Sequence, residues 1–154
     1  MDLKIKNVEK EDLDKFVEVY KSAYKKLGKY AYWRKRDIRW YFKWLLKRDA
    51  NGFFKAEIDG EAIAFVACDS NWHGLYEKVG EIHEIVVKEE YKGKGIGRNL
   101  MEVAEEYLKS KGHKIIELWV GEENYVARKF YEKLGYKARD KFGVWIRMVK
   151  RLDD

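Results

Sequence analysis

The chain has 154 residues, 46% of them hydrophobic and 16% aromatic, enough for one well-buried core and too few for two ordinary domains, so residues 1–154 read as a single domain. Its formal net charge of +6 comes from 33 Lys and Arg against 27 Asp and Glu, a mixed surface that selects neither nucleic acid, an acidic membrane nor an anionic ligand. The lone Cys68 excludes an intrachain disulfide, His73, His83 and His113 lack metal-ligand spacing, and no apolar run reaches the ~20 residues that span a bilayer.

The N-terminus, Met1-Asp-Leu-Lys-Ile-Lys6, is charged where a secretory signal would turn apolar, so a soluble, cytoplasmic protein is expected. Leu3 to Val8 alternates apolar and polar residues as a half-covered strand does. Leu13, Phe16, Val17, Tyr20 and Tyr24 then recur at helical spacing, with Glu11, Asp12 and Asp14 near the start, where the helix dipole favours negative charge, and Gly28 as a stop. Tyr30 to Lys47 interleaves aromatics with cations and predicts a second helix. Its broad apolar face is Trp33, Trp40, Tyr41, Trp44 and Leu45; its basic face is Arg36, Arg39, Lys43 and Lys47. A core helix with a solvated basic side, an aromatic substrate pocket and a platform for nucleic acid or an anionic surface all fit that composition. Phe53–Ile58 and Ala62–Cys68 flank Asp59-Gly60, a strong hairpin signal, and Cys68 in its apolar run reads as core filler. Residues 69–80 read as a loop or a frayed hairpin end.

The next stretch organises the chain. An apolar strand, Glu81-Ile-His-Glu-Ile-Val-Val87, leads to the glycine-rich turn Lys92-Gly-Lys-Gly-Ile-Gly97 and directly into an amphipathic helix carrying Ile96, Leu100, Val103, Ala104, Tyr107 and Leu108 on one face. Glycines at 93, 95 and 97 allow close backbone approach, and the first helical turn offers unpaired N–H groups and the positive end of its dipole, so the guest expected is a phosphate or pyrophosphate; a merely tight connection is the alternative. The spacing fits neither G-x-G-x-x-G nor a Walker loop, which disfavours dinucleotide and nucleoside-triphosphate sites. Gly112 ends the helix, Ile115–Val120 is a strand, and the unit is a right-handed βαβ crossover with parallel strands. Asn124 caps a last helix with Val126, Ala127, Phe130 and Leu134 facing inward, and two strand candidates, 136–140 and 144–149, close the chain.

The run Val87-Lys-Glu-Glu-Tyr-Lys-Gly-Lys-Gly-Ile-Gly-Arg-Asn-Leu-Met101 resembles the acyl-CoA signature of the GNAT superfamily of N-acetyltransferases, and Asn124-Tyr-Val-Ala-Arg-Lys-Phe-Tyr-Glu-Lys-Leu-Gly-Tyr136 is similar to that family's later motif. The resemblance covers roughly the second half of the chain. It implies an α/β (α+β) single domain with a mixed, mostly antiparallel sheet, a parallel βαβ centre and flanking helices. It also implies acetyl-CoA as cosubstrate and an amine acceptor, whether a small molecule, a protein N-terminus or a lysine, with nucleic acid disfavoured as a partner and a homodimer open.

Carried onto this sequence, the resemblance places the cofactor phosphates on the N–H groups around Lys92, Gly93, Lys94, Gly95, Ile96, Gly97 and Arg98. The acyl-pantetheine arm would lie along Ile85, Val86 and Val87, whose backbone could polarise the thioester. Asn124 would contact the cofactor, with Arg128 and Lys129 toward its phosphates. Glu81 stands where several relatives carry the general base, with Glu84 as alternate and His83 as a weaker one; strand alternation puts Glu81 and His83 on one face and Glu84 on the other. Tyr131 holds the motif position of the acid that protonates the thiolate. Departures are Lys92 where Arg or Gln is usual, Glu89 where Pro is common, and Trp119 where some relatives carry a glutamate base. A noncatalytic CoA-binding or RNA-associated module using the 30–47 helix is the alternative function. The absence of Gln and Thr beside abundant Lys and Glu resembles heat-adapted proteins, although loop prolines are missing too.

Overall fold

The computed structural model describes residues 2–152 and contains, among them, a seven-stranded mixed sheet and four α-helices. The strands are β1 (Leu3–Asn7), β2 (Phe53–Ile58), β3 (Glu61–His73), β4 (Lys78–Val87), β5 (Ile115–Gly121), β6 (Lys137–Phe142) and β7 (Trp145–Arg151). The helices are α1 (Leu13–Ala23), α2 (Lys35–Arg48), α3 (Ile96–Ser110) and α4 (Tyr125–Lys133). In the order β1-β2-β3-β4-β5-β7-β6, only β4 and β5 run parallel, joined by the α3 crossover, and the other pairs are antiparallel. No helix among the described residues is long and apolar enough to cross a membrane.

Each face of the sheet has its own core. Phe16, Val19 and Tyr20 of α1 and Ile38, Phe42 and Leu45 of α2 pack on Phe53, Phe65 and Val86. On the opposite face, Ile96, Leu100, Ala104 and Leu108 of α3 pack with Tyr131 and Tyr136 on Ile63, Ile82 and Leu118. Burying one such leucine or phenylalanine contributes roughly 1.5–3 kcal/mol, so these two stripes carry the fold. Asp59 and Gly60, at φ 53° and 80°, form the left-handed turn the hairpin signal requires. Cys68 is buried with its Sγ 3.2 Å from the Gly52 carbonyl, as core filler should be.

Four expectations need correction. α2 begins at Lys35 rather than Tyr30, and its buried stripe is Ile38, Phe42 and Leu45; Trp33 and Trp40 stand 75% and 60% exposed. The helix is anchored through narrower residues than its tryptophans, so the core reading of α2 holds with a different face. Val126 is 85% exposed, and Tyr131 is the buried residue of α4. Of the two readings of 69–80, a loop or a frayed hairpin end, the loop is the one to drop: the stretch mostly extends the β3–β4 hairpin, leaving only Gly74 to Glu77 between the strands. The fourth concerns β4 and bears on the site. Ala67 and Cys68 of β3 pair with Glu84 and Ile82, so His83 is an extra residue in a β-bulge. Beyond it the alternation reverses: Ile82 belongs to the α3 core, whereas Val86 belongs to the α1–α2 core. Glu81 and Glu84 therefore share the α1–α2 side of the sheet, against simple alternation.

Candidate active site

β4 and β5 are paired only where Gly80–Ile82 meets Ile116–Leu118; beyond that they diverge. The divergence opens a cleft of about 1720 Å³ through the sheet, lined on one side by Ile82 to Val87 and on the other by Leu118 to Gly121. Backbone edges that would have bonded one another face the cleft instead, which suits an extended amide-bearing chain laid between them. Trp145, Phe142, Phe130 and Tyr131 supply apolar walls. At Gly121 the backbone passes so close to the Tyr30 ring that a Cβ would stand 2.4 Å from it, while the Tyr30 hydroxyl accepts the Glu123 N–H at 2.9 Å.

At one end of the cleft lies the glycine turn. Gly93 and Gly95 adopt φ 76° and 82°, the left-handed region where a side chain is strained. Gly95 is the N-cap of α3 and offers no side-chain acceptor, so the first N–H groups of the helix lack an intrahelical partner and lie beside the cleft. Gly97 packs beside the Phe130 ring, which a Cβ there would meet at 3.4 Å, an ordinary contact. The turn is braced on α1, because the Glu89 N–H donates to Ser22 Oγ at 2.9 Å and Lys92 Nζ donates to the Ala23 carbonyl at 3.3 Å. Lys92 and Arg98 line the cleft, as do Lys25, Lys26, Lys29 and Lys133. A helix N-terminus and these cations thus share one cleft, a setting that suits a polyanion.

The predicted cofactor residues Ile85, Val86, Val87, Lys92, Gly93, Gly95, Ile96, Gly97, Arg98, Asn124 and Tyr131 all line this one cleft. Asn124 caps α4, its Oδ1 accepting the Ala127 N–H at 3.3 Å. Lys94 and Arg128 are not part of the lining; Arg128 donates to the Glu122 carbonyl at 2.8 Å and lies over the Tyr125 ring.

Among the candidate acid–base residues, the cleft brings together Glu84 and Tyr131. Glu84 accepts hydrogen bonds from the hydroxyls of Tyr24, at the end of α1, and Tyr41 of α2, the latter at 2.9 Å. Burial pushes its carboxyl up to about 7, against the opposing pull of the two tyrosine hydroxyls. Tyr131 is raised by burial first and then by the charge of Glu84, so it keeps its proton at neutral pH. Glu81 differs. It lines a smaller cavity rather than the cleft, and burial together with neighbouring Glu117 pushes it up to about 11, which leaves it protonated at neutral pH. His83 borders both spaces, held by Asp69 at 2.9 Å with Trp44 and Trp72 edge-on to its ring.

Sequence reasoning missed Tyr24 and Tyr41 as partners of Glu84, and the cleft lysines 25, 26, 29 and 133. A tyrosine on the last turn of α1 is a local signal, but its meeting with a carboxylate 60 residues away is not.

Comparison with known proteins agrees with this geometry. The family model described as "Acetyltransferase (GNAT) family" matches residues 13–136. An uncharacterized N-acetyltransferase of Methanocaldococcus jannaschii is 51% identical over 150 residues, covering 96% of this chain and 66% of that longer protein. A crystal structure from Pyrococcus horikoshii OT3 superposes with a TM-score of 0.89 at 39% identity, covering 99% of each chain. The paia N-acetyltransferase of Thermoplasma acidophilum, solved in complex with coenzyme A, superposes with a TM-score of 0.82 at 26% identity over 98% of this chain and 99% of its own. With its splayed β4–β5 cleft, its glycine turn at the head of α3 and a family match spanning most of its length, this chain belongs to the acetyltransferase (GNAT) family.

Proposed function

We propose that the protein transfers an acetyl group from acetyl-CoA to a primary amine, with Glu84 as general base and Tyr131 as general acid. The observation that carries the assignment is a partly buried carboxyl poised near neutrality in the same cleft as a protonated tyrosine. The residues present fit acetyl-CoA: a glycine-lined helix N-terminus in a cleft that also holds cations suits its phosphates, and the gap between β4 and β5 suits its amide-bearing arm.

An aliphatic ammonium, with a pKa near ~10, is almost wholly charged at neutral pH and must lose a proton before it can attack. Glu84 takes that proton, and the freed lone pair attacks the thioester carbonyl carbon. Backbone N–H groups along the unpaired edge of β4 face the developing oxyanion. The carbon–sulfur bond then breaks, Tyr131 protonates the departing thiolate, and the proton lost by the acylated nitrogen replaces the tyrosine's own. Glu81 is a poor base in this reading, because it already holds a proton and lies away from the cleft.

The decisive experiment is calorimetric titration with acetyl-CoA of the parent protein and of Gly95→Val. Binding by the parent that is lost in a folded variant supports the phosphate site; a parent that binds no acetyl-CoA overturns the reading.

A further inference from the structure

Behind His83, away from the glycine turn, lies a second cavity of about 430 Å³. Its lining is almost wholly aromatic: Trp40 and Trp44 of α2, Trp72 of β3 and Trp119 of β5, with Tyr32 and Tyr41. Glu81 also lines it. This residue is 3% exposed, and its buried Oε1 has no hydrogen-bond partner. A buried carboxyl oxygen without a donor costs roughly 1–3 kcal/mol, so a fold keeps one where something else supplies the donor. Tyr32, Tyr41, Ile82, His83 and Trp119 border both this cavity and the main cleft, so the two spaces adjoin.

From this geometry we propose that the aromatic cavity over Glu81 is a specificity subsite for a second, non-reacting ammonium group of the amine acceptor, making the preferred acceptor an aliphatic diamine rather than a monoamine. The inference rests on the acetyltransfer reading for its reacting end only. Indole faces attract a cation, as Trp72 shows by holding the Arg48 guanidinium 5.3 Å from its ring, and Trp40, Trp44 and Trp119 line the rest of the space. The ammonium donates to Glu81 Oε1, a buried oxygen for which no donor is present. Surrounding charges favour this. Glu117, beside Glu81 across the β4–β5 pair, is held ionised despite its burial by hydrogen bonds from the protonated Glu81 carboxyl and from Arg147, the latter at 2.6 Å, and Asp69 is held ionised by His83 and Arg48. Both cations facing these acids, Arg147 and Arg48, are already engaged with them, and Arg147 also meets Asp140 at 2.7 Å.

The test uses the full chain and two probes of equal carbon count, diaminobutane and butylamine. Tryptophan fluorescence is followed first without acetyl-CoA, so that the subsite is read independently of transfer. The diamine is expected to bind about 10- to 100-fold tighter, the range of one buried cation–aromatic contact with a charge-assisted hydrogen bond. Glu81→Leu, which removes the acceptor oxygen at similar size, and Trp40→Ala, the latter at a residue 60% exposed and so safe for folding, should each remove most of that preference. Steady-state acetylation with the same pair then reads the ratio of kcat/KM, which should fall toward one in both variants. Equal binding of the two probes by the parent, or a preference untouched by both variants, overturns the proposal. Preference in binding without acetylation of either probe would leave the subsite standing and refute the transfer reading instead.

Discussion

Glu84 shows how one residue's role depends on what the chain folds around it. An exposed glutamate is ionised at neutral pH and too weak a base for an ammonium; burial raises this one to about 7, while Tyr24 and Tyr41 keep it from rising further. The rate should therefore climb as pH passes upward through about 7, where Glu84 ionises, as measured in the pH profile of kcat/KM. Glu84→Gln should lower kcat by about 10²–10⁴-fold with acetyl-CoA affinity kept, and Tyr131→Phe by about ten- to a thousandfold, both read by steady-state kinetics beside calorimetry. Removing both Tyr24 and Tyr41 hydroxyls as Phe should move the profile to higher pH, since each donates to the charged form. Asp69 is the opposite case. Burial raises it, but hydrogen bonds from His83, Arg48 and the Asn71 N–H outweigh burial and hold it at about 2. Because its folded pKa lies below the unfolded one, it contributes about 2 kcal/mol above pH ~4, lost as pH falls through about 2. Asp69→Asn should flatten that acid limb in chemical denaturation measured against pH.

At the scale of elements, the glycine turn and the bulge do most to place the chemistry, and they differ in how far a sequence reader can see them. Gly93 and Gly95 are legible because their demand is local: two left-handed residues next to a helix start. Gly95→Val should cost roughly 1–2 kcal/mol of stability through strain alone and far more in acetyl-CoA binding, a split visible by comparing thermal melts with titrations. The bulge at His83 is not legible, because it is set by the register of β3 against β4 and no residue type announces it. That single inserted residue defeated the alternation argument and brought Glu81 and Glu84 to the same side of the sheet. The exposed Trp33 and Trp40 escaped for a related reason: a helical wheel ranks hydrophobicity, but which arc is buried depends on the sheet, and here Ile38, Phe42 and Leu45 fit it. The runs 87–101 and 124–136 stand out because their residues cluster along the chain; the tyrosines over Glu84 belong to the first half, outside both runs.

At the scale of the whole molecule, surface charges link elements more than they decorate them. Lys88 reaches Glu18 of α1 at 2.9 Å and lies within 4 Å of Glu61 and Glu90, while Lys15 joins Glu18 and Glu61. Single exposed pairs contribute little, but networks lose less of their worth on heating. With the Lys- and Glu-rich composition, this favours a melting midpoint above ~70 °C by calorimetry. Lys88→Met should lower it by a few degrees, and by less at molar salt, where the network is already screened.

The divergence of β4 from β5 has a mechanical side. Within the sheet, strands β5, β7 and β6 are bonded to the other four by a three-residue ladder alone, whereas each antiparallel neighbour pair is stitched along most of its length. The sheet thus has a seam, and a seam is where two rigid plates flex. Amide protons of residues 83–87 that point across it should exchange with solvent sooner than those of the same strand bonded to β3. An occupant spanning the gap would replace the missing ladder and make the two plates exchange as one.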